Sequence, residues 1–159
     1  MQTTLKNSRT IVVRRKTTED GKALGEMLAN CSERTYYFFH PYPLTHQSGL
    51  KVAADENIIC FIAEVSDDTA VGYVWIGRES DVPTLGICVR DGWQGLGVGR
   101  TLMECIIAEA KRLGKEGIQL TVMKDNTNAI ALYQSVGFII DGDAPDRVGP
   151  SYHMTLRLG

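Results

Sequence analysis

The segment Gln94-Gly95-Leu96-Gly97-Val98-Gly99-Arg100 decides the fold assignment, because three glycines alternate there between two regular elements. An apolar run at residues 85–89 precedes it, and a strongly periodic helical pattern follows to residue 113. Glycine inside a helix costs roughly 1 kcal/mol relative to alanine, so three in one turn indicate close approach of a ligand to the backbone. The first amides of a helix lack partners within it and lie at the positive end of its dipole. The segment therefore predicts a phosphate or pyrophosphate site at the start of a helix.

Two common phosphate-binding motifs do not fit this segment. A P-loop requires G-x-x-x-x-G-K-[ST], but reading back from Gly99 puts Gln94 at the first glycine and an arginine at the lysine. A dinucleotide fingerprint requires G-x-G-x-x-G. Its third glycine falls on Arg100 when counted from Gly95, and on Leu102 when counted from Gly97. The segment is therefore neither a P-loop nor a dinucleotide-binding fingerprint.

The whole chain, residues 1–159, is expected to form one α+β domain. Its 159 residues are 43% apolar and 23% charged, which is typical of a soluble protein with a single core. Ser66 and Asp67 belong to a turn cluster between two apolar β-branched segments and predict an antiparallel hairpin. Strand patterns occupy residues 10–15, 58–65, 70–76, 85–89, 118–122, 138–140 and 152–158, and helical patterns occupy 20–31, 45–56, 98–113 and 126–136.

The charge and the polar start of the chain limit its partners and its location. A formal net charge of -2 predicts no nucleic-acid partner. Apolar windows such as residues 58–65 are far shorter than the roughly 20 residues that span a bilayer, so no membrane partner is expected. Residues 1–10 lack the apolar centre of a secretion signal. We therefore expect a cytoplasmic protein.

The four cysteines predict no metal site, because they lie singly and without zinc-ligand spacing. Each has apolar neighbours, which favours the role of a small buried side chain. A nucleophilic role for Cys88 or Cys105 is a minor alternative. The cysteines are Cys31, Cys60, Cys88 and Cys105.

Two blocks of the sequence resemble the GNAT acetyltransferase superfamily. Gln94-x-x-Gly97-x-Gly99 looks like its Q/R-x-x-G-x-G/A signature. The block Asn126-x-x-Ala129-x-x-Leu132-Tyr133-x-x-x-Gly137-Phe138 is similar to its N-x-x-A-x-x-L-Y-x-x-x-G-F element. The likeness covers nearly the whole chain and is specific within residues 85–138. It implies a mixed, largely antiparallel sheet of about seven strands flanked by about four helices, with one parallel strand pair that splays apart to admit pantetheine.

The resemblance also implies the cosubstrate and two catalytic roles. Acetyl-CoA is expected as acetyl donor, with Tyr133 protonating the leaving thiolate and the amide of Val89 stabilising the oxyanion. The residues that the resemblance assigns to CoA binding are Ile87, Cys88, Val89, Gln94, Gly95, Leu96, Gly97, Val98, Gly99, Arg100, Asn126 and Tyr133.

The base that deprotonates the amine is less well defined, because Thr84 occupies the position where many family members carry a glutamate. Glu79 is the candidate base, and Asp81, His40, His153 and, through water, Glu64 are further candidates. The aromatic stretch at residues 36–43 predicts a loop that can include helical turns, and that covers the edge of the core or lines an acceptor pocket. Its candidate acceptor-binding residues are Tyr36, Phe39 and His40.

The resemblance implies acetyl transfer to a primary amine of a small molecule or protein, by direct attack in a ternary complex. The amine is not identified by the sequence, and a homodimer is a weak expectation. Two alternatives stay open: a catalytically silent CoA-binding module that regulates another protein, and a transferase for a longer acyl-CoA. Tyr133 separates the first alternative from an enzyme, because a sensor needs no acid for a leaving thiolate.

Overall fold

The computed structural model describes residues 1–65 and 68–159, and these contain eight strands and five α-helices. The predicted turn at Ser66 and Asp67 lies outside them. In chain order the elements are β1 (Gln2–Thr4), β2 (Thr10–Arg15), a 3-10 helix (Thr18–Asp20), α1 (Gly21–Ala29), α2 (Glu33–Phe38), α3 (His46–Ala54), β3 (Ile58–Val65), β4 (Thr69–Gly77), β5 (Leu85–Val89), α4 (Val98–Arg112), β6 (Gly117–Met123), α5 (Thr127–Ser135), β7 (Ile139–Ala144) and β8 (Ser151–Arg157).

The strands form two antiparallel sheets that meet along β5 and β6. One sheet has the order β1-β2-β3-β4-β5 and the other has the order β6-β8-β7. A parallel bridge between Thr84 and Gln119 joins them, supported by the Gln119 amide, which donates to the Pro83 carbonyl at 3.0 Å. Further along, the described residues show no backbone pairing between β5 and β6. The two strands therefore separate towards the end of β5, as the sequence predicted for its parallel pair.

Helices cover the two faces of the five-stranded sheet, because side chains alternate along each strand. On β4, Val74 and Ile76 join the core beneath α4, whereas Tyr73 joins the core beneath α1 and α3. Tyr133 of α5 belongs to the first of these cores. The small sheet and α5 are thus packed against α4, beside the gap between β5 and β6.

The chain has one strand and one helix more than the sequence predicted. The additional strand is β1, which is short and polar and so carries no apolar periodicity. The additional helix is α2, which lies where the sequence predicted a loop that can include helical turns. Ser32 caps it by accepting the Thr35 amide at 3.2 Å, and Glu33 occupies its first turn. Within the described ranges, none of the helices combines the length and apolarity that crossing a membrane requires.

Candidate active site

The glycine loop leads into α4 without a side chain that caps the helix. Gly92, Gly95 and Gly97 have φ values of +82°, +75° and +109°, a region that side-chain-bearing residues rarely adopt. Gly97 is the N-cap of α4 and supplies no side-chain hydrogen bond to the helix. The amides at residues 98–100 have no acceptor within the helix and lie at the positive end of its dipole. The loop can therefore bind an anion through backbone groups, as the sequence predicted.

The gap between β5 and β6 lies directly before this loop. Residues 87–89 pair with β4 on one side, in the register Val74 to Ile87 and Gly72 to Val89. Backbone groups of an inner strand alternate between its two neighbours, so some groups of β5 face the gap. An extended ligand can therefore lie along β5 with its anionic end at the start of α4.

Tyr133 of α5 is buried, and it is 8% exposed. The Tyr133 hydroxyl makes no hydrogen bond with another described residue. Among the described residues, no side-chain nitrogen or oxygen is both fully buried and without a hydrogen-bond partner. The hydroxyl therefore reaches accessible space. Burial raises the pKa of Tyr133, so the phenol keeps its proton at neutral pH. This is the form that a general acid needs.

The three polar side chains among the predicted CoA-binding residues other than Tyr133 make hydrogen bonds within the protein. Gln94 Nε2 donates to the Val89 carbonyl at 3.0 Å and to Thr35 Oγ1 at 3.2 Å. Arg100 Nη2 donates to Ser135 Oγ at 2.7 Å, and Asn126 Oδ1 caps α5 by accepting the Ala129 amide at 3.4 Å. These side chains brace the loop and α5, which leaves the backbone of the loop accessible to a ligand.

An aromatic cluster lies on the α1 and α3 face of β5. The Trp75 ring stacks on Tyr73 with centroids 5.3 Å apart and meets the Phe39 ring edge-on at 5.7 Å. The Tyr42 and Tyr73 hydroxyls share a hydrogen bond. A side chain at Gly86 would meet the Trp75 ring at 2.0 Å, so the indole lies directly over β5. The cluster places Phe39, predicted to bind the acceptor, beside Trp75 on this face of the sheet.

The segment at residues 145–150 contacts α2 and the residues that follow it. His40 Nε2 contacts the Asp146 carboxylate at 3.0 Å, and His40 Nδ1 contacts the Tyr36 carbonyl at 3.2 Å. Arg147 donates to the His40 carbonyl at 3.0 Å and to the Tyr36 hydroxyl at 3.3 Å. Both ring nitrogens of His40 therefore face oxygen atoms of the protein, and neither is directed at an acceptor amine.

His153 is held in a similar way. Gln119 Nε2 donates to the Val82 carbonyl at 2.8 Å, which turns Gln119 Oε1 towards His153 Nε2 at 2.9 Å. His153 Nδ1 faces the Asp141 carboxylate. Both ring nitrogens of His153 are therefore in contact with neighbouring side chains.

The acidic candidates lie away from the gap. Glu64 is paired with Arg14 at 3.0 Å on β3, two strands from β5. Glu79 and Asp81 are exposed in the turn before β5, at the end where β5 and β6 are still joined. The Asp81 carbonyl accepts the Glu116 amide there at 2.9 Å.

Cys88 and Cys105, the two cysteines considered for catalysis, are thiols rather than thiolates at neutral pH. A hydrogen bond with Cys31 and burial together raise the pKa of Cys88 well above its ordinary value. Burial also raises the pKa of Cys105. Because the thiolate is the nucleophilic form, neither residue is suited to attack a thioester at neutral pH.

Sequence reasoning missed Thr35 and Asp91 as residues that shape the site, and it named Trp75 only as a residue near the acyl pocket. Thr35 and Asp91 are joined across 56 positions, and Trp75 is fixed by the space at Gly86 on the next strand. Ser32 followed by Glu33 was an available signal for α2, but no local pattern shows which loop that helix contacts.

The uncapped helix start, the open strand edge and the protonated tyrosine together define a small α+β transferase that uses an acyl-CoA. The profile described as "Acetyltransferase (GNAT) family" matches residues 23–138, and the chain belongs to this family. The L-amino acid N-acetyltransferase AaaT of Escherichia coli K12 is 32% identical over 138 residues, which cover 83% of this chain and 85% of that protein. With this relative and the family match, the chain is an acyl-CoA-dependent N-acetyltransferase.

Solved structures show the same fold. The GNAT domain of S. lividans PAT superposes with a TM-score of 0.84 at 20% identity, covering 99% of this chain and 96% of that one. The structure of yncA from Salmonella typhimurium, solved with its cofactor acetyl-CoA, has a TM-score of 0.78 at 22% identity and covers 94% of both chains.

Proposed function

We propose that this enzyme transfers the acetyl group of acetyl-CoA to the primary amine of a small acceptor. The observation that carries the proposal is the uncapped start of α4 beside the unpaired edge of β5. In this arrangement the amides at residues 98–100 bind the pyrophosphate, and pantetheine extends along residues 87–89. The Salmonella typhimurium relative in fold carries acetyl-CoA as its cofactor, which supports the choice of donor.

The chemistry proceeds by direct attack of the amine on the thioester in a ternary complex. The amide of Val89 stabilises the oxyanion that forms on the carbonyl, and Tyr133 gives its proton to the departing CoA thiolate. Burial supports this role because it keeps the phenol protonated. The amine proton leaves through water, since the ring nitrogens of His40 and His153 are already in contact with other groups of the protein. Glu79, in its exposed turn, would act only through such water.

The acceptor proposed is a free L-amino acid. The support is the 32% identical relative, whose printed activity is L-amino acid N-acetylation. The contacts of His40 with Asp146 and of Arg147 with Tyr36 draw α2 and residues 145–150 together on the acceptor side, which favours a small acceptor.

Exchange of Tyr133 for phenylalanine tests the mechanism. The variant Tyr133→Phe should lower turnover about 100-fold, at the low end of what a general acid contributes, because the thiolate leaves without a proton donor. The dissociation constant for acetyl-CoA should stay within about twofold, because the hydroxyl serves the leaving group rather than the phosphates. Turnover is measured as free CoA thiol released in the presence of each of the standard L-amino acids.

Tyr152→Phe is the matched control, because Tyr152 lies on β8 with its ring under Lys124 and away from the proposed thiolate. Its turnover should equal that of the unmodified enzyme. Full turnover in Tyr133→Phe would remove the tyrosine from the mechanism. Thiol release with other amines but with none of the amino acids would contradict the proposed acceptor.

A further inference from the structure

A buried hydroxyl links the glycine loop to the acceptor-side helix. Thr35 of α2 is 8% exposed, and its Oγ1 donates to Asp91 Oδ1 at 2.6 Å. The same oxygen accepts from Gln94 Nε2 at 3.2 Å, and Gln94 Nε2 also donates to the Val89 carbonyl at 3.0 Å. The Ser32 amide completes the group by donating to Asp91 Oδ2 at 3.1 Å. One hydroxyl on α2 is therefore held by two residues of the loop, and one of these also holds β5.

The Asp91 carboxylate is adapted to this arrangement. Burial by itself would raise the pKa of Asp91, but the hydrogen bonds from Ser32 and Thr35 hold it below its usual value. Asp91 is therefore ionised at neutral pH and accepts from both α2 donors. A charged acceptor strengthens these hydrogen bonds relative to neutral ones.

The helix that receives these bonds is too short to be stable by itself. α2 has six residues, and isolated helices below about 12 residues are marginal in water. The contacts that position it and the residues after it include Thr35 with the loop, Tyr37 with Asp125 at 2.8 Å, and His40 with Asp146 at 3.0 Å. The first of these contacts lies on the donor side of the gap.

Open space surrounds two glycines of the loop. A side chain placed at Gly92 or Gly95 would meet no atom within 4 Å, and both residues have positive φ. Gln94 lies between them. A ligand that contacts the backbone here therefore also restrains Gln94 and Asp91, and through them the start of α2.

We infer that Thr35 is a positioning residue that couples the two substrate sites: CoA bound at the loop fixes Asp91 and Gln94, and these fix α2 over the acceptor side. The inference rests on the proposed binding of CoA to the glycine loop. With this coupling, the acceptor site takes its final form only after the donor has bound. Because such coupling is reciprocal, an ordered α2 also strengthens CoA binding.

Amide hydrogen exchange with CoA as the probe tests the coupling without requiring the acceptor. Three proteins are compared with and without CoA at about 100 times its dissociation constant: the unmodified enzyme, Thr35→Val and Thr35→Ser. Valine has the shape of threonine without the hydroxyl, and serine keeps the hydroxyl. Because Gln94 is exposed and Asp91 is half-exposed, water can replace the lost bonds, and circular dichroism verifies that Thr35→Val is folded.

In the unmodified enzyme, CoA should slow exchange by about tenfold or more in both the loop, residues 94–100, and α2, residues 33–38. In Thr35→Val the loop should be protected as before, whereas CoA should change exchange in α2 by less than about twofold. Thr35→Ser should behave like the unmodified enzyme. A merely structural Thr35 would speed exchange of α2 in the free variant but leave the effect of CoA unchanged.

The outcomes separate this inference from the proposed function. Undiminished CoA protection of α2 in Thr35→Val overturns the coupling, and so does protection confined to the loop in the unmodified enzyme. Absence of CoA protection at residues 94–100 in the unmodified enzyme overturns the proposed cosubstrate site itself.

Discussion

Trp75 lies across β5 because residue 86 has no side chain. The two residues are cross-strand partners, and the indole atoms lie 2.0 to 2.4 Å from the position that a Cβ at residue 86 would take. The ring is held on its other sides by Tyr73, Phe39 and Tyr42. One absent methyl group thus determines where the largest aromatic ring on the acceptor side is placed.

The variant Gly86→Ala should displace this ring. The new methyl group cannot coexist with the indole in its present position, so we expect a loss of about 1–3 kcal/mol in the free energy of unfolding. The Trp75 fluorescence should shift to longer wavelength as the ring becomes more exposed. Urea unfolding and emission spectra measure the two effects, with Trp93→Phe as the background so that emission reports Trp75.

Gly77→Ala is the control for this substitution. Gly77 ends β4, and a Cβ there would lie 3.9 Å from Pro83 Cβ, which is an ordinary contact. Its stability should change by less than about 0.5 kcal/mol. Equal behaviour of the two alanine variants would contradict the role of Gly86.

At the scale of elements, α1 and α3 cross with their backbones in contact. A Cβ at Gly49 would lie 2.1 Å from the Gly25 amide nitrogen, and a Cβ at Gly25 would lie 2.7 Å from the His46 carbonyl oxygen. Backbone atoms cannot give way as flexible side chains can. The crossing therefore requires glycine at both positions.

Gly49→Ala should destabilise the protein even though alanine is the better helix former. Alanine favours an exposed helix interior by roughly 1 kcal/mol, but here the two helices must separate, and we expect a net loss of about 2 kcal/mol or more. Thermal and urea unfolding measure the loss. Gln47→Ala, on the exposed side of α3, should change stability by less than about 0.5 kcal/mol. A stabilised Gly49→Ala would show that α3 docks differently.

Elements with strong apolar periodicity could be predicted from the sequence, and those that depend on distant contacts could not. α4 was predicted because Leu102, Ile106 and Ala110 repeat on one stripe that is now seen buried. β1 has no apolar pattern and is defined by its pairing with β2, for example Thr3 with Ile11. β7 extends to Ala144 along β8 although its residues are mostly exposed, so only its apolar start was recognised.

At the scale of the whole molecule, the site is assembled from segments that are far apart in the sequence. The glycine loop was predictable because glycine spacing between a strand and a helix is a local signal. The partners of Thr35 and His40 were not, since their hydrogen bonds span 56 and 106 positions. The role of Tyr133 as the acid, the assignment of Glu79 and the homodimer stay predictions.

A charged group on the opposite side of the sheet holds the N-terminal elements together. The Arg14 guanidinium of β2 donates to Asp20 at 2.7 Å and to Glu64 of β3 at 3.0 Å. Asp20 is 7% exposed and also accepts the Thr17 amide at 2.6 Å. Burial alone would raise the pKa of Asp20, but the hydrogen bonds from Arg14 and Thr17 hold it below its ordinary value. The contact therefore depends on an ionised carboxylate.

This dependence predicts how stability changes with pH. Since the folded pKa of Asp20 lies below the unfolded value near 3.9, its contribution is complete above about pH 5 and is lost as the pH falls through the folded pKa. Asp20→Asn keeps an oxygen for the Thr17 amide but removes the charge. At pH 7 we expect it to lower the free energy of unfolding by about 1–3 kcal/mol, because a largely buried arginine contact loses its charged partner.

Urea unfolding at intervals from pH 3 to pH 7 measures this difference. The difference in unfolding free energy between Asp20→Asn and the unmodified protein should shrink as the pH falls below about 4, because Asp20 of the unfolded chain then binds a proton that the folded protein binds only at lower pH. Glu19→Gln, an exposed neutralisation one residue earlier, should stay within about 0.5 kcal/mol of the unmodified protein at every pH. If the gap for Asp20→Asn is the same at pH 3 and pH 7, the stabilisation comes from the shape and hydrogen bonds of residue 20, and its charge contributes nothing.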